Sequence, residues 1–347
     1  METAAVNLHS ALARIRPVRL IKYGWSNKLL PLSLPLLFLR TLVHARRSSV
    51  ILLQDGVLAP MGVVLGWLTR RPVAVIIHGL EVTHTGGVHR RLMRFALPRM
   101  AQLIAVSENT KRATAERFPA LDVRVANNGV ADSYYSNRDR AALRAEIARI
   151  TGEDPARVAA AVVLVTVGRL VPRKGVAWFI GEVLPLVVAN STNDFLYLVV
   201  GTGAERDTIA AAVESRGLQR TVRLLGGIDQ DDLVSIYNGA DAFVMPNVPT
   251  PGDIEGFGLV ALEASSTGTP VVATAVDGVP DAVHDPGNGH LVPALDAAGL
   301  AEQLRRIAAS PIDRKAVRQY TLDTFSWDAS AAEVSSILDA VIARRAS

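Results

Sequence analysis

The sequence contains no cysteine among its 347 residues. Disulfide bonds and thiolate chemistry are therefore excluded, and the composition fits a cytoplasmic protein. No apolar run reaches the roughly 20 residues that a membrane-spanning helix requires. Charged residues interrupt the first twenty positions, so no signal peptide is expected. These absences predict a globular protein that works in the cytoplasm.

Acidic residues are scarce in the first part of the chain. Residues 1–150 carry 22 Lys and Arg against 9 Asp and Glu, a net charge of +13, whereas the remainder carries 15 against 24, a net charge of −9. This asymmetry predicts that the first half meets an anionic partner. No aromatic-rich basic motif or recognition-helix pattern is present, so a nucleic acid is not expected. An anionic membrane surface or a phosphorylated lipid is the favoured partner.

One almost wholly apolar block lies at 29–39, and basic residues follow it at Arg40, Arg46 and Arg47. Eleven residues are too few to span a bilayer as a helix. Pro31 and Pro35 also disfavour a long regular helix. Two interpretations have equal weight: a buried connection between elements, or an interfacial anchor with basic flanks that holds the protein peripherally on a membrane.

Short apolar runs rich in valine and isoleucine alternate with helical stretches, which is typical of parallel sheets covered by helices on both sides. The runs lie at 50–54, 73–78, 103–107, 123–126, 162–168, 195–201, 222–226, 242–246 and 271–274. We therefore predict an α/β fold with two Rossmann-like, doubly wound parallel-sheet domains that face each other across a cleft. The predicted domains are 1–150 and 151–327, and a helix at 328–345 is expected to pack back on the first domain.

Polar residues and glycines gather where the predicted strands end, which is the edge at which ligands bind in such sheets. In the first half, His78 closes a buried-looking strand; a lone histidine is more often structural, but this position favours a place in the cleft. In the second half, Arg169 and Lys174 follow a strand and suit a diphosphate. Such a pair alone would more often be a solvated loop.

The segment from Glu255 to Glu263 reads E-G-F-G-L-V-A-L-E. Its two glycines let the backbone approach a ligand closely, and the apolar run behind them indicates a helix whose first N–H groups suit a phosphate. We place Glu255 in the loop and Glu263 inside the helix, so that each faces a different part of one ligand. Separately, either glutamate could be an ordinary surface charge near a helix.

Two other polar motifs are better explained by local structure. Asp229 and Asp231 form a D-x-D pattern that holds a metal in some enzymes, but they directly precede a helical run, so a helix cap is favoured. Ser107 lacks the flanking pattern of a nucleophile and is also predicted to be a cap. We therefore predict no metal site and no essential metal ion.

The second half resembles the family-four retaining glycosyltransferases of the GT-B fold. The segments that carry this likeness are G-R-L-x-x-x-K-G at 168–175, V-G-x-G at 200–203, A-D-A-F-V-M-P at 240–246, the glutamate pair at 255 and 263, and G-T-P-V-V-A-T at 268–274. In the first half, His78-Gly79, Val106-Ser107 and Asn128-Gly129-Val130 are similar to family positions. The likeness covers nearly the whole chain and is most specific in its second half.

The resemblance implies a role for each candidate residue. Arg169 and Lys174 would bind the donor diphosphate, and Glu263 the ribose. Glu255 and His78 would contact the transferred sugar. Backbone groups complete the implied site at Phe257, Gly258, Leu259 and Val260 for the sugar and phosphates, and at Gly227 and Ile228 for the base. The catalytic set is therefore His78, Arg169, Lys174 and Glu255.

The implied activity is transfer of a hexose from a UDP- or GDP-linked sugar to a glycolipid, another lipid-linked acceptor, an oligosaccharide or a polysaccharide, with retention of configuration. No cofactor is expected beyond the donor substrate. Two other functions stay open: a weak or inactive relative that acts as a binding protein, and a sugar-nucleotide epimerase. Family members begin with a strand and a Gly-Gly loop that approaches the donor, whereas this sequence resembles the residues just after that loop. We expect either a start site placed too late or a chain that lacks both elements.

Overall fold

The computed structural model describes residues 2–22, 30–83, 86–189, 191–310 and 312–346. The chain forms two compact units. Unit 1 comprises Met1–Gly129, Gly252–Phe257 and Trp327–Ser347; unit 2 comprises Val130–Pro251 and Gly258–Ser326. Each unit is built on its own sheet of parallel strands, which confirms the prediction of two parallel-sheet α/β domains. The domain limits predicted at residues 150 and 327 stay a prediction.

Unit 1 contains a sheet of four parallel strands in the order β1-β2-β3-β4. The strands are β1 (Ile51–Leu53), β2 (Val73–Ile77), β3 (Gln102–Ala105) and β4 (Val123–Val125). All five residues of β2 are buried, because helices cover this strand on both faces. Each strand coincides with one of the four apolar runs found in the first half of the sequence.

Helices surround this sheet, and their inner sides bury its apolar residues. They are α1 (Glu2–Ile15), α2 (Leu30–Ala45), α3 (Ala59–Thr69), α4 (Leu80–Thr83), α5 (Gly87–Ala96) and α6 (Glu108–Arg117). Leu65 of α3 and Met93 of α5 join Val75 and Ile77 of β2 in one buried apolar cluster. Helix α3 packs against both α2 and α5, so these three helices form a layer over the sheet.

Helix α2 corrects the prediction made for the apolar block at 29–39. Pro31 and Pro35 were predicted to disfavour a long regular helix, but the chain is helical from Leu30 to Ala45. Pro31 stands in the first turn, where its missing N–H would have no partner inside the helix. Pro35 removes only the hydrogen bond to the carbonyl group four residues earlier, and the rest of the helix continues. Residue 29 lies outside the described residues.

Unit 2 contains six parallel strands in the order β7-β6-β5-β8-β9-β10. They are β5 (Val162–Val167), β6 (Phe195–Val200), β7 (Val222–Gly226), β8 (Ala242–Met245), β9 (Val271–Thr274) and β10 (Gly289–Val292). Strand β10, a short edge strand of sequence G-H-L-V that pairs with β9, is absent from the predicted strands. Its glycine and histidine interrupt the continuous apolar run that marks a buried strand.

The sheet of unit 2 is apolar on both faces. On β6, Phe195, Tyr197 and Val199 belong to one buried cluster. The alternate residues Leu196 and Leu198 belong to the cluster on the opposite face. Successive side chains of a strand point to opposite sides, so both faces need a covering layer. The helices that supply it are α7 (Arg140–Thr151), α8 (Pro155–Ala160), α9 (Val176–Trp178), α10 (Leu184–Ala189), α11 (Arg206–Ser215), α12 (Gln230–Gly239), α13 (Leu259–Ser266), α14 (Val279–Ala282), α15 (Ala297–Ala309) and α16 (Arg314–Thr324).

The last helix, α17 (Trp327–Ala346), belongs to unit 1 and packs against α1. Arg16, directly after α1, donates a hydrogen bond to the Ser335 hydroxyl (3.0 Å), and Arg14 of α1 forms an ion pair with Asp328. Trp327 is buried. None of the described helices combines the length and the apolarity needed to cross a bilayer.

A buried ion pair joins the helical and strand layers of unit 2. Arg144 of α7 is almost fully buried, and its guanidinium donates hydrogen bonds to the carbonyl oxygens of Val158 (2.8 Å) and Ala161 (2.9 Å) and to the Asp241 carboxylate (2.5 Å). Asp241 also accepts the backbone N–H of Val163 at 2.7 Å. The carboxylate of Asp241 therefore compensates the buried charge of Arg144 and also binds the backbone at the start of β5.

We expect Asp241→Ala to lower the free energy of unfolding by about 3–5 kcal/mol, because it leaves the buried charge of Arg144 without its partner. Urea denaturation followed by circular dichroism measures the change. The matched control is Glu302→Ala, which removes the exposed ion pairs to Arg305 and Arg306 and should have little effect. Equal losses in the two variants would contradict the structural role of Asp241.

Candidate active site

The order of the strands in unit 2 locates a binding crevice. Numbered in chain order, the strands follow the pattern 3-2-1-4-5-6, which reverses direction between β5 and β8. Ligands of open α/β sheets bind beyond the carboxyl ends of the strands at such a reversal. The segment 168–175 leaves β5 at this point, and the segment 246–258 leaves β8. Both segments contain residues predicted to form the site, Arg169 and Lys174 in the first and Glu255 in the second.

Glycines allow the loops at this edge to touch backbone to backbone. A β-carbon on residue 175 would overlap the carbonyl oxygen of Pro246, and Gly175 also has a φ of +63°. A β-carbon on residue 201 would likewise overlap the carbonyl oxygen of Gly168. Glycine is the one residue without a β-carbon, so it is required at both crossings. The loops after β5, β6 and β8 therefore form one tightly packed rim.

Arg169 and Lys174 both lie on this rim but in different surroundings. Arg169 is exposed, whereas Lys174 is only 8% exposed. The side chain of Lys174 passes close to Gly168, with its Cε 3.5 Å from the place that a β-carbon there would occupy. Burial raises the pKa of the Glu263 carboxyl group, and the ammonium group of Lys174 is near enough to oppose this rise. Arg169, Lys174 and Glu263, which belong to the predicted site, therefore all lie in unit 2.

The glycine before α13 starts the helix in an unusual way. Gly258 has a φ of +100° and a ψ of 42°, a left-handed conformation that favours glycine, and no side chain caps the helix at this position. The N–H groups of Leu259 and Val260 therefore have no acceptor from a capping side chain. Together with the positive end of the helix dipole, they suit an anion.

Glu263 lies about one helical turn beyond these N–H groups and is held by two phenols. The Tyr237 hydroxyl donates a hydrogen bond to its carboxylate at 3.0 Å, and Tyr134 forms a second one. Burial raises the pKa of Glu263, and the two phenol hydrogen bonds act in the opposite direction. The pKa values of both tyrosines are raised by their burial and by the nearby carboxylate. Neither tyrosine is among the predicted site residues, since neither belongs to a motif.

Gly227 and Ile228 directly follow β7, at the same edge of the sheet. Gly227 is exposed, and a β-carbon there would meet no atom within 4 Å. Ile228 is partly buried and packs against the apolar cluster on one face of the sheet. The backbone of Gly227 is thus accessible, while Ile228 fixes its position.

In unit 1, His78 stands at the end of β2. Its Nε2 atom lies 3.0 Å from the carbonyl oxygen of Gln54, at the end of the neighbouring strand. Its backbone N–H donates to the carboxylate of Glu81 at 3.2 Å, and the N–H of Gly56 donates to the same carboxylate at 3.3 Å. Glu81 is buried, so it ties two strand ends together and fixes the backbone of His78.

The segment Gly252–Phe257 belongs to unit 1 and lies against His78. A β-carbon on residue 256 would overlap the carbonyl oxygen of His78. The Thr110 hydroxyl donates a hydrogen bond to the Gly256 carbonyl at 3.4 Å. Glu255 and Phe257, on either side, are 8% and 3% exposed. Unit 1 therefore brings Glu255 and His78 to one strand edge and also contains Phe257, while the remaining predicted residues belong to unit 2.

Both predicted helix caps are confirmed. The Asp229 carboxylate accepts the N–H of Asp232 at 2.8 Å, and the Ser107 hydroxyl accepts the N–H of Thr110 at 2.9 Å. Within the described residues, no three His, Asp or Glu side chains gather closely enough to hold a metal ion. Independence from metal ions stays a prediction.

Two family models match the chain, one on each half. The model for Glycosyltransferase Family 4 matches residues 3–134, and the model for Glycosyl transferases group 1 matches residues 154–324. The first half of the chain therefore carries a family 4 glycosyltransferase domain, and the second half carries a group 1 glycosyl transferase domain. This agrees with the resemblance found in the sequence, and its strongest motifs lie inside the second matched region.

Individual relatives agree with the family. A D-inositol 3-phosphate glycosyltransferase of Corynebacterium glutamicum (strain R) is 32% identical over 52% of this chain, and the match spans less than half, 44%, of that relative. A GDP-mannose-dependent alpha-(1-6)-phosphatidylinositol monomannoside mannosyltransferase of Mycolicibacterium smegmatis is 29% identical over 82% of this chain and 75% of its own. Among solved structures, Anabaena HepE in complex with UDP-glucose superposes with a TM-score of 0.75 and 20% identity, covering 98% of this chain and 95% of that one. This similarity shows that the chain has the GT-B fold.

Replacing Glu263 by glutamine should change how stability depends on pH. Because the pKa of Glu263 is raised above its ordinary value of 4.5, its contribution to stability is fully present below pH 4.5 and is lost as the pH rises through the folded-state value. Glu263→Gln does not titrate, so the melting-temperature difference between variant and wild type should move in favour of the variant between pH 4.5 and pH 8. Calorimetric melts at several pH values measure this. A constant difference would contradict the raised pKa.

Proposed function

We propose that this chain is a retaining hexosyltransferase that moves a sugar from a UDP- or GDP-linked donor to a lipid-linked, oligosaccharide or polysaccharide acceptor without a metal ion. The observation that carries the proposal is the set of groups at the strand reversal of unit 2. There, Lys174, the uncapped start of α13 and the carboxylate of Glu263 offer partners for successive parts of a nucleoside diphosphate.

The diphosphate is assigned to Arg169, Lys174 and the N–H groups of Leu259 and Val260. When the bond between the sugar and the diphosphate breaks, negative charge grows on the leaving phosphate oxygen. Fixed cations and backbone dipoles stabilise that charge more than the charge of the intact donor, which is how they accelerate the reaction. The buried position of Lys174 strengthens this effect, because a less polar surrounding screens its charge less than water does.

The nucleoside is assigned to two further groups. The carboxylate of Glu263 can accept hydrogen bonds from both hydroxyls of a ribose, and Tyr237 holds it in place from the other side. The exposed backbone of Gly227 and Ile228 is proposed to contact the base. Backbone contacts of this kind accept more than one base, and for this reason uridine and guanosine donors are both retained in the proposal.

The transferred hexose is assigned to His78 and Glu255, with the backbone from Phe257 to Val260 near the sugar and the phosphates. In the proposed reaction, the acceptor hydroxyl oxygen bonds to the anomeric carbon on the face from which the diphosphate leaves. The carbon–oxygen bond to the diphosphate breaks, and the acceptor's proton passes to the leaving phosphate oxygen. The anomeric configuration is thereby kept, and no protein carboxylate needs to form a covalent intermediate.

The relatives support the proposed substrates by their names. The mycolicibacterial relative is dependent on GDP-mannose and acts on a phosphatidylinositol mannoside, and the Anabaena structure contains UDP-glucose. The corynebacterial relative acts on an inositol phosphate. An acceptor with a phosphate group also fits the net charge of +13 on residues 1–150. We further propose a cytoplasmic enzyme that contacts an anionic membrane peripherally.

Titration calorimetry with UDP and GDP tests the donor site and identifies the base. We expect saturable binding of one nucleotide, with affinity reduced about tenfold to a hundredfold in Lys174→Ala, since a charged hydrogen bond is lost. Glu263→Ala should weaken binding as well. Lys315→Ala, which removes an exposed lysine of the same unit, is the matched control and should bind normally.

The monophosphates UMP and GMP sharpen this test. If Lys174 binds the outer phosphate, Lys174→Ala should weaken diphosphate binding far more than monophosphate binding, whereas Glu263→Ala should weaken both. If Lys174→Ala weakened the binding of diphosphates and monophosphates equally, the assignment of Lys174 to the outer phosphate would be contradicted. Failure of the wild-type chain to bind any nucleotide would favour the alternative of an inactive relative.

Product analysis tests the stereochemistry and the remaining alternative. NMR spectroscopy of the product formed from an α-linked donor should show an α-linked glycoside. His78→Ala should reduce kcat at least tenfold, while binding of the free nucleotide stays unchanged. A β-linked product or a trapped covalent glycosyl-enzyme would overturn the proposed mechanism. An epimerised nucleotide sugar in the absence of acceptor would favour the epimerase.

A further inference from the structure

The outer surface of the α2, α3 and α5 layer in unit 1 is apolar. Each helix turns one side toward the buried core and exposes large apolar side chains on the other: Leu36, Leu39 and Val43 on α2, Val64, Trp67 and Leu68 on α3, and Val88, Leu92 and Phe95 on α5. Most of the large apolar residues exposed in the described part of the chain lie on these three helices. We call this set the outer apolar face.

The spacing of these residues shows that the exposure is systematic. On α2, Leu36, Leu39 and Val43 recur three and four positions apart, so they form a single stripe, while Phe38 and Leu42 pack inward against the core. The side chain of Trp67 is 78% exposed, the largest value among these residues. Isolated exposed apolar residues are ordinary, whereas a cluster on adjoining helices marks an interaction surface.

The charged residues on the helices of the outer apolar face are all arginines. Helices α2, α3 and α5 contain no aspartate or glutamate. Arginines lie on these helices or directly after them, at Arg40, Arg46, Arg47, Arg70, Arg71, Arg90, Arg91, Arg94 and Arg99. A second copy of the chain would oppose arginines to arginines across a twofold interface, which disfavours self-association through this face.

The arginines at the end of α3 surround an open pocket. The pocket has a volume of about 680 Å³ and is lined by Arg46, Arg70, Arg71 and Arg345, with Trp67 beside them. None of these four guanidinium groups pairs with a carboxylate in the part of the chain that the structure describes. Arg71 is oriented by a hydrogen bond to the carbonyl oxygen of Arg46 at 3.0 Å. The pocket therefore offers planar, charged donors suited to a phosphate.

This pocket is distinct from the candidate active site. It lies where α3 ends and β2 begins, at the amino-terminal edge of the sheet in unit 1, since Arg70 and Arg71 immediately precede Val73. His78 stands at the opposite, carboxyl end of the same strand. The arginine pocket therefore cannot be the place where His78 meets the transferred sugar.

We propose that the outer apolar face docks on an anionic phospholipid bilayer, with Trp67 and its apolar neighbours entering the interface and the arginine pocket binding a lipid phosphate group. Apolar side chains interleaved with arginines are the combination that holds a protein in the plane of such an interface. Tryptophan is the residue that favours this depth, because its ring is apolar and its N–H stays near the headgroups. The inference specifies the surface for the membrane contact within the proposed function.

Vesicle sedimentation tests the proposal with the wild-type chain and three variants. We expect binding to vesicles of phosphatidylcholine with 30% phosphatidylglycerol, little binding to phosphatidylcholine alone, and weakening of the former by salt. Trp67→Ser and the double variant Arg70→Gln/Arg345→Gln should each reduce partitioning about tenfold. Leu295→Ser removes an exposed apolar residue of unit 2 and is the matched control, with unchanged binding.

Tryptophan fluorescence supplies a second readout. Vesicles with 30% phosphatidylglycerol should shift the emission to shorter wavelength in the wild type, and most of that shift should be missing in Trp67→Ser. Unchanged vesicle binding in both face variants would overturn the proposal, as would concentration-dependent self-association that disappears in Trp67→Ser without any vesicle binding. Nucleotide titration of the same variants should be normal, so failure of the membrane surface is distinguishable from failure of the donor site.

Discussion

The carbonyl oxygen of Pro246 occupies the space in which a side chain of residue 175 would begin, and the carbonyl oxygen of Gly168 does the same for residue 201. Much of the candidate site depends on these two backbone crossings. They hold the segment with Arg169 and Lys174 against the end of β8, and the chain then continues from β8 to α13. Without them, the cations and the start of α13 would lie on independent loops, and their positions would not be fixed relative to each other.

The second constraint is electrostatic. Glu263 is a mostly buried carboxylate, and an isolated buried charge is costly. Two phenols reduce this cost by hydrogen bonding, and the ammonium group of Lys174 reduces it further through space. The two phenols and the ammonium group stabilise the negative charge of Glu263, and they also orient its carboxylate. Glu263, which is proposed to bind the ribose, is therefore held in one orientation before a ligand binds. This reduces the conformational entropy lost on binding.

Sequence patterns predicted the fold well where burial dictates the residues. Strands such as β2 and β6 are buried on both faces, so they appear as unbroken apolar runs, whereas β10 is a polar-interrupted edge strand and was missed. Pro35 misled the helix prediction, because one lost hydrogen bond does not end a helix that packs along its side. Motifs found Lys174 and Glu263, but Tyr134 and Tyr237 reach the site only through tertiary packing. No local pattern identifies such partners.

The chain passes between the two units four times, at 129–130, 251–252, 257–258 and 326–327. Unit 1 is therefore assembled from three separate stretches of sequence, and α17 packs on α1 across more than three hundred residues. During synthesis on the ribosome, α1 emerges long before its partner α17. The α1 residues Leu8 and Leu12, which are buried in the folded chain, therefore lack the contact with α17 until the whole of unit 2 has been made. Unit 2, which is formed from a nearly continuous stretch, can complete its core first. The order of folding should thus run opposite to the order of synthesis.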